Sequence, residues 1–529
     1  MSFLRALLAA HLRACALDGT GIAVATFAAA CLLTACNGRP GQLSPPPAEA
    51  TILRIGFPQV TGEDPLRGMQ QASALLSFEA LTRGSKDGRP RPWLAESWSV
   101  SADGLSWSLK LRPHAMFHDG TPVDAPAVKR SLDESLTNLA DRSFQPGLQD
   151  IVSIDIVAPR EIAVRLQDRS TFVLDDLSMS ITKALPNGSR LGTGPFFATS
   201  TSPEQITMSS FHSYYQGVPQ VERVVWRPYP ALRTAWAGLM RGEVDFLYEV
   251  GQDSVEFVQR ESSVGTYVFL KAYVFGVVLN SHRDSLKDQR VRQALNFAVD
   301  RKLIVDQALR GSGLVASTPI WPLHWAYDQN VVGFTYDPGR ASAILNSVQS
   351  PRTNPRRGVS TSPAHLRFTC LLPENFSGWE RIALLVQKQL FDVGVDMQLE
   401  ALPAGAFNQR IARGEFDAVF LEMIGGYSMS RPYFFWYSKS PVNYFKYAVP
   451  AVDQALDDIR HAPDDQAYKT AVRELQESMI ANPPAIFLAW GQTARAVSRR
   501  FVVPNDPDRD VFLRVSEWRL AVGSSQTRN

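Results

Sequence analysis

The chain has 529 residues, of which 45% are hydrophobic and 20% are charged, and this composition excludes a disordered or fibrous protein. Because 54 Lys and Arg nearly balance 52 Asp and Glu, the sequence lacks the basic excess that is typical of nucleic-acid-binding proteins. A single hydrophobic core rarely serves so long a chain, so we expect two or three structural units.

The first 35 residues have the pattern of an export signal. Two arginines precede an uncharged run, IAVATFAAACLLTA, that ends at Ala35 and is too short to cross a bilayer as a stable helix. The motif Leu-Thr-Ala-Cys at 33–36 resembles the lipobox of bacterial lipoproteins, which implies cleavage before Cys36 and lipidation of its thiol. The alternative is an ordinary secretory signal in which Cys36 is incidental.

The residues after the signal predict a tethered, soluble chain. Residues 36–50 are rich in Gly, Pro and small side chains, as flexible tethers are. Beyond them we find no apolar run long enough for a membrane span, and Cys370 is the remaining thiol. One thiol can form neither an internal disulfide nor a cysteine-based metal site.

The N-terminal part of the mature chain predicts an antiparallel sheet with helices packed on it. Residues 51–57 have the pattern of a strand, and 106–111 and 161–166 alternate apolar and polar residues as half-buried strands do. Between them Asp124 is a predicted N-cap of a helix.

From about residue 220 the predicted elements alternate between strand and helix, which favours a parallel-type sheet. The predicted strands are 221–229, 244–250, 267–280, 366–372, 395–402, 416–423 and 485–490, and the predicted helices begin near 232, 288, 300, 337, 380 and 468. The Arg-, Pro- and Ser-rich segment 350–363 predicts a solvated loop.

Several runs, in this order along the chain, resemble the extracytoplasmic solute-binding proteins of peptide-type ABC importers, the family-5 group. They include GTGPF, LMRGEVDF and YDPGRASAIL, and the full set lies at 94–133, 192–196, 239–246, 288–305, 336–345, 393–400 and 416–420. Members of this family bind dipeptides, oligopeptides, nickel chelates, opines or sugars. The resemblance covers almost the whole mature chain.

The resemblance implies an α/β, two-lobed periplasmic-binding-protein fold of class II, similar to cluster C. Lobe I would comprise 51–277 and 490–529, with an extra subdomain at about 66–190, and lobe II would comprise 278–489. A small-molecule ligand would be enclosed between the lobes by hinge closure. The protein would be periplasmic, lipid-anchored and monomeric, and would deliver the ligand to a permease with its ATPases.

The sequence predicts no catalytic residue, metal site or cofactor. It contains no phosphate-binding loop, HExxH motif or GxSxG elbow. His114 and His118 are four residues apart, but Pro113 and Asp119-Gly120 predict a strand-to-turn setting rather than a metal-binding helix. Two alternatives stay open, a sensory or scaffold lipoprotein of the same fold and an exported hydrolase, whose catalytic partners need not be near in sequence.

The most informative segment for the ligand is 422–437. In peptide-binding relatives, an acidic residue after the matching strand pairs with the peptide ammonium, and an Asp-Pro follows. Here the corresponding residues are Gly426 and Arg431, so an ordinary free peptide is a doubtful ligand. Arg431 is suited to a carboxylate or phosphate, and Glu422 is a possible substitute carboxylate on the face of Phe416, Ala418 and Phe420.

Other residues are candidates because of their place near predicted strand ends or because they are aromatic. Open α/β sheets bind ligands beyond the carboxyl ends of their strands. Each candidate has a structural alternative, in the core, at the rim or in the hinge. The further predicted ligand contacts are Tyr427, Trp436, Tyr437, Asn443, Glu374, Trp379 and Asn280.

Overall fold

The structure, a computed structural model, describes residues 50–58, 65–138, 145–349, 366–374, 377–504 and 510–522. The predicted signal, the lipidation site Cys36, nearly all of the tether and the loop 350–363 lie outside the described residues. None of the helices within these ranges is both long and apolar enough to cross a membrane.

The strands fall into one large sheet and several small ones. In chain order the strands are β1 (Ile52–Pro58), β2 (Thr82–Gly84), β3 (Pro90–Pro92), β4 (Ala95–Val100), β5 (Ser106–Leu111), β6 (Ile151–Ala158), β7 (Glu161–Leu166), β8 (Lys183–Ala184), β9 (Arg190–Leu191), β10 (Phe196–Thr201), β11 (Ile206–Ser210), β12 (Arg223–Tyr229), β13 (Phe246–Val250), β14 (Val264–Leu279), β15 (Gly313–Val315), β16 (Leu366–Pro373), β17 (Val395–Leu402), β18 (Ala418–Ile424), β19 (Ala485–Ser498), β20 (Phe501–Val502) and β21 (Arg519–Leu520). The large sheet has the order β10-β11-β12-β1-β13-β19-β14-β18-β16-β17, with β15 paired to β19.

Helices pack on both faces of the large sheet, and α2 (Ala125–Thr137) packs on the small four-stranded sheet. They are α1 (Pro65–Ser77), α2 (Ala125–Thr137), α3 (Val173–Asp176), α4 (Leu232–Met240), α5 (Gln252–Gln259), α6 (Gln289–Phe297), α7 (Arg301–Leu303), α8 (Pro338–Gln349), α9 (Ser377–Asp392), α10 (Ala404–Arg413), α11 (Ser430–Trp436), α12 (Pro450–Arg460) and α13 (Asp465–Ala481). A π-helix (Ile304–Ala308) follows α7, and 3₁₀-helices span Pro146–Asp150 and Val511–Glu517.

We call the part built on β1 and β10–β13 lobe I, and this name includes the part of the chain between β1 and β10. We call the part built on β16–β18 lobe II. In lobe I, α1 and the C-terminal 3₁₀-helix pack on one face of the sheet, and α4 and α5 pack on the other. In lobe II the alternation of β16 sends Cys370 to the core beneath α8 and α9 and Leu371 to the core beneath α10–α13. The four-stranded sheet β4-β5-β7-β6 and α2 form a subdomain with its own core.

Two long strands connect the lobes. β14 and β19 pair with each other over most of their length and reach from β13 in lobe I to β18 in lobe II. The predicted strand at 485–490 is therefore too short, because β19 continues to Ser498 through a run of small residues. The predicted lobe boundaries stay a prediction, since both strands belong to both lobes.

Three predicted features require correction. The large sheet is mixed: β1-β12, β1-β13, β16-β17 and β16-β18 are parallel, whereas the connecting strands pair antiparallel. The helix predicted after Asp300 has one α-helical turn before it widens into the π-helix. Phe416 precedes β18 and packs in the core opposite to that of Ala418 and Phe420.

The two glycines of the GTGPF motif lie where a side chain would not fit. A side chain at Gly192 would place its Cβ 1.9 Å from the Ser77 carbonyl oxygen, and one at Gly194 would lie 2.4 Å from that of Leu76. The loop therefore passes directly against the end of α1, which joins the subdomain to lobe I. Only glycine, which has no Cβ, allows this close backbone approach.

The buried carboxylate of Asp245 ties β1 to the returning C-terminal segment. It accepts hydrogen bonds from Arg54 Nε at 2.8 Å and Arg500 Nη1 at 2.8 Å, and its side chain is 2% exposed. We expect Asp245→Ala to lower the free energy of unfolding by about 2 kcal/mol or more, because it removes a buried carboxylate that accepts charge-assisted hydrogen bonds from two partly exposed guanidinium groups. Urea unfolding followed by circular dichroism measures this.

A matched control is Asp155→Ala, which removes an equally short ion pair to Arg165 on an exposed surface. That change is expected to cost less than about 1 kcal/mol. Equal costs for the two variants would contradict the role assigned to Asp245.

Candidate functional site

The carboxyl ends of strands from both lobes point toward the middle of the connecting pair. β13 runs toward it from lobe I, because Phe246 pairs with Val497 and Val250 with Ala494. β18 runs toward it from lobe II and ends at Ile424, opposite Tyr273. In open α/β sheets ligands bind beyond such strand ends, so we place the candidate site here.

A bulge in β14 marks this point. The pairing of β14 with β19 shifts between Leu270 and Val274, leaving residues 271–273 out of regular register. The carbonyl of Ala272 within the bulge accepts hydrogen bonds from the amides of Gly425 and Gly426, at 3.0 and 3.1 Å. The segment that follows β18 is thereby fixed to the strand crossing.

Three charged side chains meet at the bulge, and we call them the strand-crossing cluster: Glu249 of β13, Lys271 of β14 and Glu422 of β18. The Lys271 ammonium lies 3.4 Å from Glu249 and 3.6 Å from Glu422. Burial alone would lower the pKa of Lys271, but the two carboxylates outweigh it and raise that pKa. Lys271 is therefore a cation at neutral pH, shared between a lobe I strand and a lobe II strand.

Tyr427 lies between the lobes. Its ring packs edge-on against Trp321, with centroids 5.0 Å apart, and approaches Gly84 of β2 in lobe I. Trp321 in turn donates a hydrogen bond to the carbonyl of Lys86 at 2.7 Å. Because 37% of Tyr427 stays exposed, this predicted contact is an aromatic surface available to a ligand.

Arg431 packs over Gly426. A Cβ on Gly426 would lie 2.5 Å from Arg431 Cγ, and Gly426 has a φ of +66°. Arg431 lies near Asp175 and Asp176 of α3: burial raises the pKa of both carboxyls, and the positive charge of Arg431 offsets part of that rise. Arg431 therefore faces an acidic pair from lobe I.

These two aspartates belong to a closure interface, formed by 146–176 of lobe I against 428–433 and 459–463 of lobe II. Ser428 donates a hydrogen bond to Asp175, and the amide of Gly147 donates to Asp176 at 2.6 Å. Burial raises the pKa of Asp175 to about 7 and that of Asp176 to about 6, against these hydrogen bonds and Arg431.

The closure interface also contains an inserted phenylalanine side chain and a buried ion pair. Phe172 is fully buried in the lobe II core, where it meets Tyr433 edge-on at 5.5 Å. Arg460 of lobe II pairs with Asp150 of lobe I at 2.6 Å and donates to the Tyr433 hydroxyl at 2.7 Å. Burying a phenylalanine contributes about 2 kcal/mol, so this contact stabilises the arrangement of the lobes that the structure shows.

The remaining predicted contacts lie in different surroundings. Trp436 is 1% exposed in the lobe II core, and Trp379 is 9% exposed beside Phe275. Glu374 is exposed just beyond β16. The other three are held by hydrogen bonds to lobe II groups: Asn280 to the Phe416 carbonyl, Asn443 to the Tyr447 carbonyl and Tyr437 to Asp457.

Sequence reasoning missed Glu249, Lys271 and the pair Asp175-Asp176. A signal was present in each case, since Lys271 is the single charge in the apolar run VGTYVFLKAYVFGVVL and the aspartates interrupt the apolar run FVLDDL. A charge within an apolar element requires a partner or a ligand. The partners are distant in sequence, so pattern alone did not identify them.

The model of the bacterial extracellular solute-binding proteins, family 5 Middle, matches residues 89–445. The chain belongs to this family. It is 25% identical over 492 residues to the glutathione-binding protein GsiB of Pectobacterium atrosepticum, covering 87% of this chain and 92% of that protein.

Solved structures confirm the predicted two-lobed fold. NikZ from Campylobacter jejuni, in complex with Ni(L-His), is 23% identical with a TM-score of 0.73, covering 88% of this chain and 99% of NikZ. The oligopeptide-binding protein AppA from Bacillus subtilis, in complex with a nonapeptide, is 20% identical with a TM-score of 0.71, covering 89% and 99%. This family 5 member is a substrate-binding subunit of the ABC-importer type, with an extracellular or periplasmic place of action.

The raised pKa values of Asp175 and Asp176 predict a pH dependence of stability. Between about pH 4 and 7 the folded protein holds protons on these carboxyls that the unfolded chain has released, so their contribution falls as the pH rises. We expect Asp175→Asn to flatten the loss of unfolding free energy between pH 5 and 7.5 by about 1–3 kcal/mol. Urea unfolding at several pH values measures the two slopes.

The control for this comparison is Asp133→Asn, which changes a half-exposed aspartate paired with Lys129. Its pH profile should follow that of the wild type. Parallel profiles for Asp175→Asn and the wild type would refute the assignment.

Proposed function

We propose that this protein captures a small organic solute between its lobes and presents the closed form to a membrane permease, whose ATPases drive import. The observation that carries this proposal is the convergence of Glu249, Lys271, Glu422 and Tyr427 at the strand ends of both lobes. Binding there requires no chemical conversion, so we propose a receptor rather than an enzyme.

The solute is proposed to be peptide-like or of similar size, and an ordinary free peptide is doubtful. The relatives include a glutathione-binding protein, an Ni(L-His) complex and an oligopeptide complex. The place of the expected ammonium-binding acid is Gly426 here, and Arg431 packs over it. An ammonium buried beside Arg431 would be repelled by its guanidinium, at a cost of several kcal/mol.

We propose further that the protein works as a monomer tethered through lipid on Cys36 to a membrane of the cell envelope. The proposal rests on the lipobox-like motif and on the tether composition of residues 36–50. Anchoring with two or more acyl chains is effectively stable, because each buried CH₂ contributes about 0.8 kcal/mol.

A bound solute should stabilise the protein and change its tryptophan fluorescence. At a free concentration 100 times Kd, the stabilisation is about 2.7 kcal/mol by mass action, which scanning calorimetry reports as a higher Tm. Glutathione and a panel of amino acids, opines and nickel chelates are the probes, together with native mass spectrometry of protein purified from its host.

Trp321→Phe tests whether the solute lies against the Tyr427 surface. This variant should keep the Tm shift and lose most of the fluorescence change, whereas Trp98→Phe in the subdomain should keep both. The proposal fails if no probe shifts the Tm and no solute is retained from the host.

The lipid anchor is tested by Cys36→Ala expressed in the native host. The wild type should sediment with membranes and incorporate labelled fatty acid, whereas the variant should appear in the soluble fraction. The free thiol Cys370 is buried, so Cys370→Ala is the matched control and should stay membrane-bound. Sedimentation of Cys36→Ala with the membranes would contradict the proposed anchor.

A further inference from the structure

The turn between β2 and β3, residues 85–89, belongs to lobe I and rests on lobe II. Its backbone is held by hydrogen bonds of its own: the Ser85 amide donates to the Arg89 carbonyl at 3.0 Å, and the Arg89 amide donates to the Asp87 carboxylate at 3.1 Å. Gly88 has a φ of +82°, which glycine adopts at little cost. We call this turn the hairpin tip.

The surface of lobe II under the hairpin tip is aromatic, and we call Trp321, His324, Trp325 and Tyr468 the aromatic seat. The rings of Trp325 and His324 stack on Tyr468, with centroids 4.9 and 5.9 Å away. Trp321 and Tyr468 are part of the lobe II core. Burial lowers the pKa of His324 to about 4, so the seat is uncharged at neutral pH.

Backbone hydrogen bonds join the hairpin tip to the seat. The indole N–H of Trp321 donates to the Lys86 carbonyl at 2.7 Å, and the Trp325 amide donates to the Asp87 carbonyl at 2.9 Å. Both bonds run from lobe II to lobe I. They must break if the tip leaves the seat, and the Trp325 amide is then open to solvent exchange.

Gly88 brings the hairpin tip against both the seat and the loop that carries Tyr427. A Cβ at Gly88 would lie 2.4 Å from His324 Cδ2 and 2.3 Å from the Tyr427 carbonyl oxygen. The Tyr427 ring itself packs on Trp321. The tip is therefore in direct contact with the segment that forms the candidate solute surface.

Arg89 holds the hairpin tip from its outer side. Its guanidinium lies 3.9 Å from the ring centroid of Trp325, and its Nη2 lies 2.7 Å from Asp465 at the start of α13. Both partners are in lobe II. The side chains of Arg89 and Asp465 are 43% and 66% exposed, so either can be replaced without leaving a cavity in the core.

We propose that the hairpin tip is a latch between the lobes, which must leave the aromatic seat before the cleft can open. Arg89 is the positioning residue that keeps the tip seated. The latch lies in a different part of the chain from the closure interface, yet the same movement of the lobes breaks both. It acts in the protein without a solute and so goes beyond the proposed function.

Hydrogen exchange of two backbone amides in the ligand-free full chain tests the latch. The Trp325 amide reports on the tip, and the Thr171 amide, which donates to the Arg460 carbonyl at 2.8 Å, reports on the closure interface. Arg89→Ala should accelerate the exchange of both amides by the same factor, about 3-fold to 30-fold, as expected for losing an exposed ion pair and a cation–π contact. Mass spectrometry with electron-transfer fragmentation resolves the single amides.

Two further variants serve as a control and as a second test. Arg165→Ala removes an exposed ion pair of the same length, to Asp155 inside lobe I, and should leave both exchange rates unchanged. Asp465→Asn removes the lobe II partner of Arg89 and should accelerate both amides by a smaller factor, with no added effect in combination with Arg89→Ala. The amides of β16 should keep their wild-type rates in every variant.

The two reporter amides separate a latch from a local contact. Faster exchange at Trp325 with Thr171 unchanged means that the tip frays by itself, and this result overturns the latch, as do unchanged rates at both amides. If the β16 amides of Arg89→Ala also exchange faster, the same comparison in Asp465→Asn decides. Failure of the latch leaves solute binding as proposed, because no solute is present.

Discussion

The pairing of β14 with β19 is the constraint on which the molecule depends. These two strands run through both lobes, and every other strand of the large sheet is added outward from them. The register shift between Leu270 and Val274 interrupts this ladder at the crossing. The Ala272 carbonyl there accepts hydrogen bonds from the amides of Gly425 and Gly426, so the irregular part of β14 is joined to the loop that follows β18.

Charged side chains of both lobes meet at this crossing and also at the closure interface. At the crossing, Lys271 is shared between carboxylates of the two lobes, and at the interface Arg431 of lobe II faces Asp175 and Asp176 of lobe I. Phe172 adds apolar burial that does not depend on a ligand. The arrangement of the lobes in the structure is therefore stabilised by contacts of the protein itself.

Much of the fold was predictable from the sequence, because helix caps and alternation are local signals. Asp124, Asp288 and Asp464 each accept a hydrogen bond at a helix start, and the first two starts were predicted from such residues. The mixed sheet and the length of β19 were not, since strand direction and pairing depend on partners hundreds of residues away. Tyr427 and Arg431 could be identified from the sequence because they belong to a local motif. Lys271 and Asp175 could not, because their partners are distant in the sequence.

The structure couples the residues at positions 426 and 431 sterically. A side chain at Gly426 would collide with the Cγ of Arg431 and would sit at a φ of +66°, which non-glycine residues rarely adopt. A side chain at 426 therefore requires Arg431 to move, and such a movement would weaken the attraction of Arg431 for the ionised forms of Asp175 and Asp176. Gly426, Arg431 and the acidic pair of α3 are thus coupled by contact and by charge, so a change at one of them affects the others.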